Sequence, residues 1–93
     1  MSYDWDEEKA ALNEVNHGVS FSEAATVFKD DYCLILPDVW HSQIEERFVA
    51  LGESQTKKLL VVIYTLRDGT IRIISARAAT LNERKKYVKE NQV

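Results

Sequence analysis

The feature that most constrains this chain is a pair of apolar segments, residues 59–66 and 71–76, separated by Arg67-Asp68-Gly69-Thr70. Asp-Gly supplies the two positive-φ positions that a two-residue hairpin loop needs, so the segments read as a tight antiparallel pair. Residues 59–66 are apolar at both alternating sets of positions, which suits a central strand covered on both faces. Two more strands are expected upstream, over 32–36, closed by Pro37-Asp38, and over 46–51, after a loop carrying Trp40 and His41. A chain of 93 residues, 45% hydrophobic, has room for one core, so a single domain over 1–93 is expected.

Helices are expected at both ends. Asp4 or Asp6 can cap a helix over 5–17, with Trp5, Leu12 and Val15 sharing its apolar face and Gly18 closing it. Ser20-Phe21-Ser22-Glu23 opens a second helix over 21–29, and Thr80-Leu81-Asn82-Glu83 is a capping box for a basic helix reaching about residue 90. The expected fold is α+β: two N-terminal helices, a four-stranded antiparallel sheet and a C-terminal helix.

Several function classes drop out. Cys33 is the one cysteine, which excludes an internal disulfide and a Cys-rich metal site; its apolar neighbours make it a small buried hydrophobe rather than a nucleophile. Two histidines, with no paired-histidine motif, no phosphate-binding glycine loop and no nucleophile elbow, argue against a zinc hydrolase, so no metal and no cofactor are expected. The acidic start lacks the apolar run of a secretion signal, and residues 59–64 are too few to span a bilayer. A cytoplasmic protein with no membrane contact is expected.

Net charge is −3, but it is unevenly spread. Residues 1–31 hold eight acids and two bases, 32–56 four acids and one base, and 57–93 three acids and nine bases. An acidic protein can therefore present a basic surface, and the local field is what a polyanion meets. Within that third, Arg72 interrupts the apolar Ile71-Arg72-Ile73-Ile74 and must face solvent or a cleft, as a cross-strand ion pair or as a phosphate ligand. Arg77 ends the same strand, where it could hold a carboxylate or a phosphate; strict alternation puts it on the face opposite Arg72 unless the strand breaks near Ser75-Ala76. His17 suits a helix C-terminus, where an imidazole can cap carbonyls or serve chemistry. His41 with Glu45-Glu46-Arg47 is either a solvated loop or an acid–base group beside a phosphate-binding arginine. Trp40 could stack a base or be buried. Arg84-Lys85-Lys86 is a solvated helix face or a backbone contact, and Tyr87 an acid, a stacking ring or a packing residue.

Longer words resemble one family. Trp5-Asp6-Glu7-Glu8-Lys9, Asn13, and His17-Gly18-Val19-Ser20-Phe21-Ser22-Glu23-Ala24 are similar to the opening of BrnT-type toxins. Glu45-Glu46-Arg47-Phe48 with Leu51-Gly52 resembles their middle segment. Leu60-Val61-Val62-Ile63-Tyr64-Thr65, Ile71-Arg72-Ile73-Ile74-Ser75-Ala76-Arg77, Ala79-Thr80 and Glu83-Arg84 with Tyr87 resemble their C-terminal half. The resemblance implies a RelE-like fold, a metal-independent endoribonuclease that halts translation, and a BrnA-like ribbon-helix-helix antitoxin partner that alone contacts operator DNA. Carried over by position, Arg72 and Arg77 lead as catalytic residues, followed by Arg47 and Tyr87. Glu46 and His41 join Tyr87 as proton shuttles, and Arg84, Lys85, Lys86 and His17 are expected to bind RNA. Two positions depart from the pattern: Asn16 and Ala78 stand where relatives commonly carry a basic residue. That loss of charge leaves open a protein that binds antitoxin and contributes to operon repression without cutting RNA.

Overall fold

The computed structural model describes residues 2–38 and 45–92. In chain order these form β1 (Ser2–Trp5), α1 (Glu7–His17), α2 (Phe21–Ala25) running into a 3-10 turn (Thr26–Lys29), β2 (Leu34–Pro37), β3 (Arg47–Glu53), β4 (Leu59–Arg67), β5 (Thr70–Ala78) and α3 (Leu81–Glu90). The strands make one sheet in the order β1-β5-β4-β3-β2. The meander from β2 to β5 is antiparallel, β4 is central, and Asp68 and Gly69 turn the hairpin with φ of 50° and 80°.

Two expectations are corrected. The sheet is five-stranded and mixed rather than four-stranded and antiparallel, because Ser2–Trp5 adds to β5 in parallel register. Tyr3 and Trp5 point inward and Ser2 and Asp4 outward, a period of two in a segment that we had expected to open a helix. The chain therefore does not begin with two helices: a strand comes first, α1 starts at Glu7 with Asp6 accepting from the Glu8 and Lys9 amides, and α2 is five residues long. The second correction concerns the buried side of α1. Leu12 and Val15 are 60% and 83% exposed, and the side chain taken inside is Asn13, 7% exposed. Its amide accepts from Ala76 N–H at 3.1 Å and donates to the carbonyls of Ala76 and Val19 at 2.8 and 2.9 Å. β1 ends opposite Ile73, so Asn13 serves the stretch of β5 that β1 leaves uncovered.

The two sheet faces differ. On the core face, Ala50, Leu60, Val62, Tyr64, Ile71, Ile73 and Ala76 pack under Val19, Phe21, Ala24 and Val27. Gly52 lets the 3-10 turn approach: a Cβ there would lie 3.0 Å from Cys33 Sγ and 3.2 Å from Val27 Cβ. The second face holds a smaller cluster, Leu51, Leu59 and Val61, covered by Ala79 and by Tyr87 of α3. The capping box of α3 forms as expected. Arg77 reinforces it, reaching both Glu83 oxygens at 2.7 and 2.8 Å while Glu83 Oε1 also accepts from Thr80 N–H at 2.8 Å.

A register shift sets which residues face which way. Ile63 pairs with Ser75 and Tyr64 with Ile73, so Ile74 is an extra, bulged residue. It lets Ile73 and Ala76 both enter the core, and it turns Arg72 and Arg77 to the same face.

Asn13→Leu should lower the unfolding free energy by about 2–4 kcal/mol in urea titration, since three backbone groups lose their partner; the exposed neighbour Asn16→Ala should change it by less than about 0.5 kcal/mol. The Glu83 carboxyl is held down at about 2 against an ordinary 4.5, first by the hydrogen bonds from Arg77. Its contribution is complete above 4.5 and is lost as the pH falls toward about 2. Thermal melts should therefore show wild type and Glu83→Gln converging across that window, with wild type the more stable above it.

Candidate active site

The register places one polar row straight across the second face. Asp4 of β1 pairs with Arg72 of β5, Arg72 with Thr65 of β4, and Thr65 with Arg47 of β3. Asp38, just past β2, extends the ladder through its N–H to the Arg47 carbonyl at 2.8 Å. The row reads carboxylate, guanidinium, hydroxyl, guanidinium, carboxylate. Residues directly opposite in such a ladder point the same way.

Each member is held by its strand. Thr65 is buried and donates its hydroxyl to the Glu46 carbonyl at 2.7 Å. Arg72 Nη1 lies 3.3 Å from Asp4 Oδ1, with side chains 28% and 53% exposed. Arg47 and buried Asp38 line a depression of about 160 Å³ with Ile63, Ile74 and Ser75. Ser75 sits two pairs along from the row, opposite Ile63 on the same face, placed there by the bulge. Arg67, paired with Glu45 at 3.2 Å, flanks it at the hairpin end. Arg47 and Arg72 stand on either side of β4, about 10 Å apart at the backbone, a gap that two long side chains can close over one anion.

The other sequence candidates distribute elsewhere. Arg77 shares the face of Arg72 but pairs with Val61 rather than Thr65, four residues along β4 and so about 13 Å away. Its fork is taken by Glu83, a hydrogen bond that raises the arginine's already high pKa. Glu46 contributes its backbone carbonyl; its side chain is exposed. Tyr87 donates to Asp30 Oδ2 at 2.6 Å in a different cavity, about 460 Å³, with Glu53, Ser54 and Lys57. Burial, then Asp30, pushes the Tyr87 phenol well up. Burial opposes ionisation of Asp30, but donation from the Glu53 amide, Tyr87 and the Tyr32 amide outweighs it and holds that carboxyl low. This larger cavity is lined by more acids than bases, an unfavourable setting for a polyanion. Arg84, Lys85 and Lys86 are exposed on α3, Lys86 beside Glu90 at 3.9 Å. His17 is exposed at the end of α1, whose Ala10 and Asn13 pack on the core side, so it does not join the row. His41 and Trp40 lie outside the described residues. Burial, then Asp30, raises the Cys33 thiol to about 11, consistent with a packing role.

Sequence reasoning missed Asp4, Asp38, Thr65 and Ser75. In the sequence Asp4 reads as a helix cap and Asp38 as a strand terminator. One signal was available: a two-residue loop at Asp68-Gly69 forces Thr65 opposite Arg72.

Among the described residues no helix is long and apolar enough to cross a membrane. No curated protein matches the sequence. The structure is similar to the 1.1 Angstrom-resolution crystal structure of the Brucella abortus ribonuclease toxin, BrnT, with a TM-score of 0.67 and 24% identity over 86% of this chain and 97% of that chain. At that identity the likeness speaks for the fold. The family model described as "Ribonuclease toxin, BrnT, of type II toxin-antitoxin system" matches residues 5–83, most of the sequence and nearly all of both sheet faces. This chain belongs to the BrnT family of ribonuclease toxins of type II toxin–antitoxin systems.

Proposed function

We propose that this chain cleaves RNA, inhibits translation in the cytoplasm, and is neutralised by a ribbon-helix-helix antitoxin through which it reaches operator DNA. The observation that carries the reading is the row Asp4, Arg72, Thr65, Arg47, Asp38, which sets two guanidiniums on either side of one strand.

The chemistry asked of such a site is modest. The 2′-hydroxyl of RNA loses its proton to an acceptor and attacks the adjacent phosphorus. The P–O5′ bond breaks to leave a 2′,3′-cyclic phosphate, and the departing 5′-oxygen takes a proton from a donor or from water. The protein therefore has to supply an acceptor and fixed positive charge. Arg47 and Arg72 clamp the phosphate oxygens and stabilise the charge that builds in the transition state, the largest single contribution in reactions of this kind. Asp38, which shares the depression with Arg47 and Ser75, is the proposed acceptor of the hydroxyl proton. Arg77 serves at one remove, fixing α3 through Glu83 so that Arg84, Lys85 and Lys86 present a basic surface on the same side of the sheet. The positive charge comes from arginine, so cleavage needs no divalent ion.

A second reading has an observation of its own. Arg72 and Arg77 each already hold a carboxylate, and Leu12 and Val15 stand exposed on α1, as expected of a non-catalytic protein that binds antitoxin and aids repression.

The two separate on purified protein. A labelled single-stranded RNA should be cut in excess EDTA, and Arg47→Ala plus Arg72→Ala should slow cutting by at least about 100-fold in protein whose far-UV circular dichroism remains that of the folded wild type. No cleavage by wild type, or full cleavage by the double variant, sinks the nuclease reading. Asp38→Asn should slow cleavage by about 100-fold or more with RNA binding retained.

A further inference from the structure

The outermost members of the row are both carboxylates, yet they are supplied differently. Asp38 follows β2 in the antiparallel meander and is buried in the depression. Asp4 is brought to Arg72 by the parallel pairing of β1, is half exposed, and stands one residue before the segment that matches the family.

Asp4 is not what holds β1 in place. The strand is fixed on its other face by Tyr3 against Phe28, ring centres 5.8 Å apart, and Trp5 edge-on to Phe21 at 6.0 Å. A Ser2–Thr70 hydroxyl contact at 2.9 Å adds to it. An ion pair this open contributes little to stability. Its consequence lies in what Arg72 can offer an incoming anion. A carboxylate and a phosphate present the same acceptor geometry to a guanidinium, so the two compete for one fork.

We propose that Asp4 is a resident counter-ion of Arg72, a positioning residue that an RNA phosphate must displace, so that β1 sets the affinity of the site for RNA. The inference rests on reading the row as a phosphate site. With Asp4 in place, Arg72 is kept extended across the sheet and partly neutralised. A bound phosphate takes over the guanidinium and leaves Asp4 facing water at the sheet edge, where its residual repulsion weakens binding. No bond is made or broken in this exchange.

The experiment is equilibrium binding of a fluorescent single-stranded RNA to wild type, Asp4→Asn, Asp4→Glu, Arg72→Gln and the Asp4→Asn plus Arg72→Gln double variant, at low and high salt. Asp4→Asn should bind roughly three- to five-fold tighter at low salt, the scale of an exposed ion pair, with the gain shrinking as salt screens the charges. Asp4→Glu should return to wild type. In the Arg72→Gln background the Asp4 change should have no effect, because the coupling runs through that guanidinium. A purely structural role for Asp4 predicts weaker binding and a lower melting temperature instead. If Arg72→Gln binds as well as wild type, the phosphate reading fails and this inference with it. If Arg72→Gln is weakened but Asp4→Asn is not tighter than wild type, or is equally tighter without Arg72, the counter-ion inference alone is overturned.

Discussion

Strand β5 has to satisfy two faces with opposite chemistry, and the extra residue at Ile74 is what allows it. Strict alternation from Ile71 would send residues 73, 75 and 77 inward together, burying Ser75 and Arg77 and exposing Ala76. The bulge shifts the phase after Ile73, so that Ala76 meets Val62 in the core and Arg77 meets Val61 outside. Asn13 then ties α1 to Ala76, just beyond the bulge. The anchoring of α1, the core beyond Ile73 and the facing of Ser75 and Arg77 are thus referenced to one local irregularity, while the polar row before it is set by the Asp68-Gly69 turn. A slip at the bulge would send Ala76 out of the core and Arg77 into it.

The same shift gives Arg72 and Arg77 a common face but different attachments. Arg77 makes two short charge-assisted bonds to a carboxylate that also closes the capping box of α3, so freeing it would cost a helix its start and its anchor. Arg72 has a longer, 3.3 Å contact to a half-exposed partner. Equal chemistry therefore becomes unequal availability. The pair that binds least tightly is the one a substrate can exchange.

Much of this was legible in the sequence where the signal was local. The Asp68-Gly69 turn, the capping box at Thr80 and Glu83, the central strand over 59–66 and the family words all describe neighbours along the chain. What escaped was set by distant pairing. Tyr3 and Trp5 carry an alternation only two repeats long, and the seven-residue spacing from Trp5 to Leu12 imitates a helix face. Asn13 reads as a polar position on α1, and only the uncovered edge of β5, more than sixty residues away, gives its amide a reason to be buried. Whether Arg72 and Arg77 share a face turns on a strand irregularity near Ser75-Ala76, and the sequence leaves that open because a bulge leaves no composition mark when the inserted residue is another isoleucine. Asp4 and Asp38 could be assigned to a site only after all five strands were in order.

Charge on the second face is divided by distance. The row itself is balanced, two arginines against two aspartates, and Arg67 and Arg77 each face a glutamate. The surplus comes from α3, where Arg84, Lys85, Lys86 and Lys89 outnumber Glu83 and Glu90. Long-range attraction of a polyanion follows net charge, whereas docking follows where the fixed donors point. A protein of net charge −3 can therefore attract a polyanion by its basic helix, with its acidic helix α1 packed on the other side of the sheet, while the row on that same basic side stays neutral. On the proposed reading, neutrality in the row favours selectivity: an unpaired arginine cluster would hold any phosphate, while one that must first release a carboxylate would bind only a segment whose other contacts repay the exchange.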